Sequence, residues 1–140
     1  MKSRHAAREW AVRLLYARHF SGLPIATVYA DLLGKAPLDP NLRFARLLAE
    51  RTAEHESLLD DHIRRKAEKW DLERIAILDH IILRMAICEF LFFDDIPIKV
   101  SINEAIELAK KYSTDQSGRF VNGILDAVCT ELTTKAIPTR

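Results

Sequence analysis

VSINEAIELAKKYSTDQSGRFVNGILD, residues 100–126, is the stretch whose reading decides the fold. Ser101 followed by Glu104 has the spacing of a capping box, which opens a helix. Ile102, Ala105, Ile106 and Ala109 then recur at the helical period and define an inward face. The polar run Ser113 to Gly118 interrupts the pattern and predicts a loop. The period resumes at about Arg119, with Val121, Ile124, Leu125 and Val128 inward, and predicts a second helix to about Leu132. Gly123 in that helix suggests close packing against a neighbour.

Working outward, the segment from about Arg74 to Phe93 is apolar on most sides, with Asp79, His80, Arg84 and Glu89 set into it. Such a helix belongs at the centre of a domain, and its charged groups argue against a membrane span. Asp71 reads as an N-cap before it, and Asp94-Asp95-Ile96-Pro97 ends it. At the N-terminus, Ala7, Trp10, Ala11, Leu14 and Ala17 form a stripe over a helix of residues 3–20. Ser21-Gly22-Leu23-Pro24 closes that helix, since Gly suits a left-handed cap and Pro cannot continue. A short helix over residues 26–33 follows, then a loop from Gly34 to Pro40. Further helical patterns start near Asn41 and run over residues 56–66. No strong breaker separates these two, so one helix or two both fit. The tail from Thr133 is polar and expected to fray. No strand alternation and no internal repeat emerge, so the fold class is all-α, with about seven helices.

The chain has 140 residues, enough for one domain with a real core. Its 49% hydrophobic and 29% charged residues match a soluble globular composition. Cys88 and Cys129 sit in apolar helical surroundings without nearby ligands, so neither a disulfide framework nor a metal site is expected, and a reduced cytoplasmic setting is. Arg13 and Arg18 interrupt the apolar residues near the N-terminus, which argues against a signal peptide. The net charge of +1 hides an asymmetry. Residues 1–20 carry five Lys or Arg against one Glu, whereas residues 76–107 carry six Asp or Glu against two Lys or Arg. Two oppositely charged partners, or ordinary solvated faces, both account for this.

Enzyme signatures are missing: no Gly-rich phosphate loop, no GxSxG elbow and no HExxH occur. His55 and His62 lie too far apart in sequence for a helical metal pair and read as a solvated face. Asp60 and Asp61 are adjacent, so on a helix they point about 100° apart and make no catalytic pair. His80 reads as a satisfied interior or interface histidine. No enzyme activity, cofactor or metal is therefore expected.

Two groups of residues suit nucleic acid. Arg4, His5 and Arg8 fall on one side of the first helix, flanking its core stripe, and Lys2 extends the patch. Guanidinium groups bind phosphate through paired hydrogen bonds, and cations at a helix N-terminus oppose its dipole, which favours a functional reason for them. A solvated helix end is the plainer account. Tyr112, Arg119 and Phe120 bracket the polar loop, and aromatics beside cations are how proteins hold single-stranded RNA, while Asn122 suits either a local cap or a hydrogen bond to a base. Here too a plainer account stands, with Phe120 simply starting the core face of the last helix.

The residues resemble those of the NusB family of transcription antitermination factors over nearly the whole chain. Ala7-Arg8-Glu9 with Leu14-Leu15-Tyr16 is similar to the family's first helix. Asp79, Ile82-Leu83-Arg84-Met85-Ala86 and Glu89 are similar to its central-helix motif. Ile96-Pro97, Val100, Ile102-Asn103-Glu104-Ala105, Glu107-Leu108-Ala109-Lys110 and Phe120-Val121-Asn122-Gly123-Ile124-Leu125-Asp126 complete the pattern in order and spacing.

The resemblance implies two packed helical subdomains, about 1–70 and about 71–135, within a single RNA-binding domain of residues 1–140. It implies a non-enzymatic cytoplasmic factor that pairs with ribosomal protein NusE and binds single-stranded boxA RNA of ribosomal RNA leaders. In that assembly it helps RNA polymerase pass termination signals. By the same resemblance Lys2, Arg4, His5 and Arg8 touch RNA, and Lys111, Tyr112, Arg119, Phe120 and Asn122 continue that surface. Asp79 and Glu73, in the acidic region, would face NusE. His5 and Ala6 stand where many members carry arginines, so weak, salt-sensitive RNA binding is expected without NusE. Two other readings are an RNA-targeting module in ribosomal RNA maturation and a helical adaptor or homodimer without an RNA role.

Overall fold

Local chemistry sets most of the helix ends in the computed structural model, which describes residues 3–67 and 72–136. Lys2 and Asp71, which figure in the expectations above, lie outside the described residues. Helix α1 spans Arg4–Ser21; the Ser3 hydroxyl caps it by accepting the Ala6 N–H at 3.0 Å. It ends at Gly22, whose φ of 73° is left-handed and whose N–H reaches the Arg18 carbonyl at 2.9 Å. Helix α2, Ile25–Leu33, starts directly behind Pro24. Helix α3, Pro40–Glu54, has Pro in its first turn and Asp39 as cap, with the Leu42 N–H donating to the Asp39 carboxylate at 2.7 Å.

His55 leaves helical geometry at φ −113°, so α3 and α4, Glu56–Lys66, are two helices. A 3-10 turn at Leu72–Arg74 precedes α5, Ile77–Phe92. Helices α6, Ile98–Tyr112, and α7, Asp115–Ala136, follow. Among the described residues there is no strand, and no helix is long and apolar enough to cross a membrane.

The reading of residues 100–126 and of the tail after them needs four corrections. Ser101 does not cap α6, which begins behind Pro97. Its hydroxyl donates instead to the buried Glu89 carboxylate at 2.7 Å, tying α6 to α5. The loop expected over Ser113–Gly118 is mostly helix: Thr114 Oγ1 accepts the Ser117 N–H at 3.1 Å, and α7 starts at Asp115. Polar residues there serve as cap and first turn. The expected fraying from Thr133 is not seen, since α7 continues to Ala136. The close approach assigned to Gly123 belongs to Gly118: a Cβ there would lie 3.1 Å from Lys110 Cγ, whereas one on Gly123 would meet nothing within 4 Å.

These two environments predict opposite effects of alanine. Gly22→Ala forces a side chain into the left-handed region and is expected to cost about 1 kcal/mol. Gly123→Ala gains helix propensity in open space and is expected to add about 0.5–1 kcal/mol. Urea unfolding midpoints of the two variants, moving in opposite directions, check this.

The chain divides into two compact units between Glu56 and Ser57. The second unit thus takes in all of α4 but its first residue, and α4 is tied to later helices. Its Asp60 binds His80 and Arg84 of α5, and its His62, Arg65 and Lys66 surround Glu131 of α7. His62 is therefore only 8% exposed and not part of a solvated face.

In the first unit α1, α2 and α3 pack on one another. Ala7 and Ala11 of α1 and Ala45 and Ala49 of α3 are fully buried, and such small side chains let two helices lie close. In the second unit α5 packs on both α6 and α7. Ile82, Leu83, Ile87 and Cys88 are wholly buried, which is why that helix is apolar on most sides.

Candidate nucleic-acid interface

Capping and an aromatic platform shape the basic end of α1. Arg4 and His5 are exposed, as a phosphate-binding role requires. Arg4 Cζ lies 4.1 Å from the centroid of the Phe44 ring, and Arg8 Cζ lies 5.3 Å from it. Arg8 is only 3% exposed. It enters the packing beside α3 instead of flanking it, because the Phe44 face accepts its guanidinium. His5 faces Glu9 one turn on, 3.5 Å away. Of the four residues expected here, two are presented to solvent, one is an internal support, and Lys2 is outside the described residues.

In the second unit, α6 and α7 border a cavity of about 380 Å³ lined by Ile106, Lys110, Asp115, Gly118, Arg119 and Asn122. Arg119 and Asn122 thus share one concavity. Lys110, not singled out from the sequence, joins them because Gly118 leaves no side chain between its stem and α7. The Lys110-Lys111 pair at the end of α6 was the available signal. Neither Lys110 nor Arg119 has an ion pair among the described residues. Lys111 is exposed, with Nζ 5.6 Å from the Tyr112 ring centroid. The Tyr112 hydroxyl is buried with no hydrogen-bond partner among the described residues, so the ring's polar end points away from solvent.

Phe120 lines a different cavity, of about 370 Å³, together with Arg74, Ile75, Ala76, Asp79, Thr114, Gln116 and Ser117. Asp79 is 6% exposed and accepts the Ser117 hydroxyl at 2.9 Å. Ser117 Oγ also lies 2.8 Å from Ser113 Oγ, so a short hydroxyl chain ties α7 to α5 through Asp79. Burial raises the Asp79 carboxyl above its ordinary range, against the hydrogen bonds of Ser117 and Ser113, which lower it. Glu73, in the 3-10 turn, is exposed. His80 is held by Asp60 at 2.7 Å, as an interior histidine would be.

Comparison with known proteins agrees with this architecture. A family model described as the NusB family matches residues 5–130. The transcription antitermination protein NusB of Natranaerobius thermophilus is 41% identical over 93% of this chain and 96% of its own length. The solved structure of T. maritima NusB superposes with a TM-score of 0.85 at 38% identity, covering 94% of each chain. A chain from a crystal structure of antitermination factors NusB and NusE in complex with dsRNA superposes at 0.83 over 94% of this chain and 98% of its own. At 22% identity that likeness speaks to the fold alone. With the family model spanning most of the sequence and relatives at this identity over nearly full length, the chain belongs to the NusB family.

Proposed function

We propose that this chain is a non-enzymatic, cytoplasmic antitermination factor that binds single-stranded boxA-type RNA together with a NusE-type protein, within the RNA polymerase assembly. The observation that supports it most is the α6–α7 cavity, where Lys110 and Arg119, neither in an ion pair among the described residues, share one concavity with Asn122. Two cations and a hydrogen-bonding amide, set against the single carboxylate of Asp115, suit a phosphate backbone with a base next to it. Arg4 and His5 on α1 are the second proposed group of contacts, with Arg8 as internal support. Lys111, Tyr112 and Phe120 complete the proposed RNA residues. Of the two carboxylates expected to meet the protein partner, exposed Glu73 is retained. Buried Asp79 is reachable by a protein surface only if the Ser117 contact opens.

The test is titration of a boxA-type RNA, with and without the NusE-type partner, over a range of salt. For a single strand each lost phosphate contact lowers the slope of log K against log salt by about 0.7. Lys110→Ala with Arg119→Ala is therefore expected to lower it by about 1.4, and Arg4→Ala by about 0.7. Slopes unchanged in both would remove these residues from the RNA surface.

A further inference from the structure

We propose that Gly118 is a positioning residue: its bare backbone carries the Lys110 side chain across the first turn of α7 and aims the ammonium into the cavity shared with Arg119 and Asn122. This rests on the RNA-binding reading above and adds how one of its cations is held.

Glycine inside a helix is unfavourable relative to alanine, because it has more backbone freedom to lose on folding. The conformation of Gly118 does not call for it. Among the described residues the glycine with a left-handed φ is Gly22, and the Gly118 N–H reaches the Thr114 carbonyl at 3.2 Å as in any first turn. Close backbone packing does not call for it either. The three atoms nearest to a Cβ at this position would all be side-chain atoms of α6: Lys110 Cγ at 3.1 Å, Lys110 Cε at 3.4 Å and Ile106 Cγ2 at 3.7 Å. The second and third are ordinary contacts, and the first is too close. The space that the glycine leaves open is therefore taken by the stem of one exposed lysine.

Contact at both Cγ and Cε means that the stem lies along Gly118 rather than crossing it at one point. A lysine laid down in this way keeps its charged head free, and here the head emerges in the cavity lined by Arg119 and Asn122. No carboxylate sets its direction: Asp115 lines the same cavity, yet among the described residues Lys110 has no ion pair. A lysine loose in solvent gives up rotamer freedom when it meets a phosphate, whereas one already laid on a surface has less to give up. A Cβ at residue 118 would press on this flexible stem, so the lysine shifts and the helix stays. Alanine there is expected to gain helix propensity while spoiling the aim. A glycine required for packing alone would lose stability instead.

The test is a double-mutant cycle on the full chain with a NusE-type partner and a boxA-type RNA, titrated over a range of salt. Lys110→Ala is expected to lower the slope of log K against log salt by about 0.7, the loss of one phosphate contact on a single strand. Gly118→Ala is expected to lower it by about the same amount, with a urea unfolding midpoint no lower than that of wild type. The double variant is expected to match Lys110→Ala alone, since without the lysine stem the glycine has nothing to carry. If Lys110→Ala lowers the slope and Gly118→Ala leaves slope and affinity unchanged, the lysine finds its phosphate unaided. The proposal is then overturned and the RNA reading stands. If Gly118→Ala weakens binding equally with and without Lys110, its effect does not pass through the lysine and the proposal is likewise overturned. If Lys110→Ala changes nothing while wild type binds the RNA, Lys110 meets no phosphate and the proposal falls alone. If wild type binds no RNA, both readings fall.

Discussion

Asp60→Ala is expected to lower the unfolding free energy by about 2–3 kcal/mol at neutral pH, with the loss shrinking in acid. Asp60 joins α4 to α5 through three hydrogen bonds. Arg84 Nε donates to Oδ1 and a terminal Arg84 nitrogen to Oδ2, both at 2.8 Å, and His80 Nε2 lies 2.7 Å from Oδ1. All three side chains are 15–17% exposed, so water screens the group only in part. Alanine removes the shared acceptor and leaves two donors facing an apolar methyl, the costly way to break a charged group.

The sign of the pH dependence follows from the carboxyl. Burial pushes the Asp60 pKa up, but the hydrogen bonds and charges of Arg84 and His80 outweigh it and hold it well below the ordinary range. A folded pKa below the unfolded value near 3.9 contributes stability that is complete above that pH. The contribution is lost as pH falls toward the folded value. Urea unfolding of wild type and variant at pH 7 and at successively lower pH checks this. A stability difference that stays constant below pH 4 would show that the charged carboxylate is not the source.

How much of this was readable in the sequence depended on whether a signal was local. Gly22 and Pro24 ended α1 as read, because a left-handed cap and a missing N–H act within one turn. The central helix was readable from its all-round apolarity. Ser101 misled because the Ser-x-x-Glu spacing also occurs inside a helix. What decides between the two is Glu89, on another helix, and only the packed structure brings it to the hydroxyl. Thr114 to Ser117 read as loop because the residues that cap helices also form turns.

The site followed the same rule. Arg4 and His5 are exposed where helical periodicity placed them. Arg8, on the same side, is buried because α3 supplies the Phe44 ring. Asp79 is enclosed by Ser117, which is 38 residues away in the chain. Lys110 gained its place from Gly118, whose importance no spacing announces.

Phe44→Ala is expected to cost about 3–4 kcal/mol, more than an ordinary cavity at the edge of a small helical unit would suggest by area alone. Phe44 is 6% exposed, so truncation opens a cavity in the α1–α3 packing. It also removes the ring beneath the guanidinium of Arg8, itself 3% exposed. A desolvated cation over an aromatic face gains about 2 kcal/mol from that contact, and alanine offers nothing in its place. Phe44→Leu separates the two contributions. It restores most of the volume without a π face and is expected to cost about 1–2 kcal/mol in urea unfolding.

The same leucine variant tests the proposed RNA surface. Arg4 sits 4.1 Å over the ring, which orients its guanidinium at the start of α1. If that orientation serves a phosphate, Phe44→Leu lowers the salt slope of RNA binding by about 0.7, the effect of losing Arg4 itself, and Phe44→Tyr restores it. A leucine variant that is destabilised but keeps the wild-type slope would confine Phe44 to packing, with Arg4 finding its phosphate unaided.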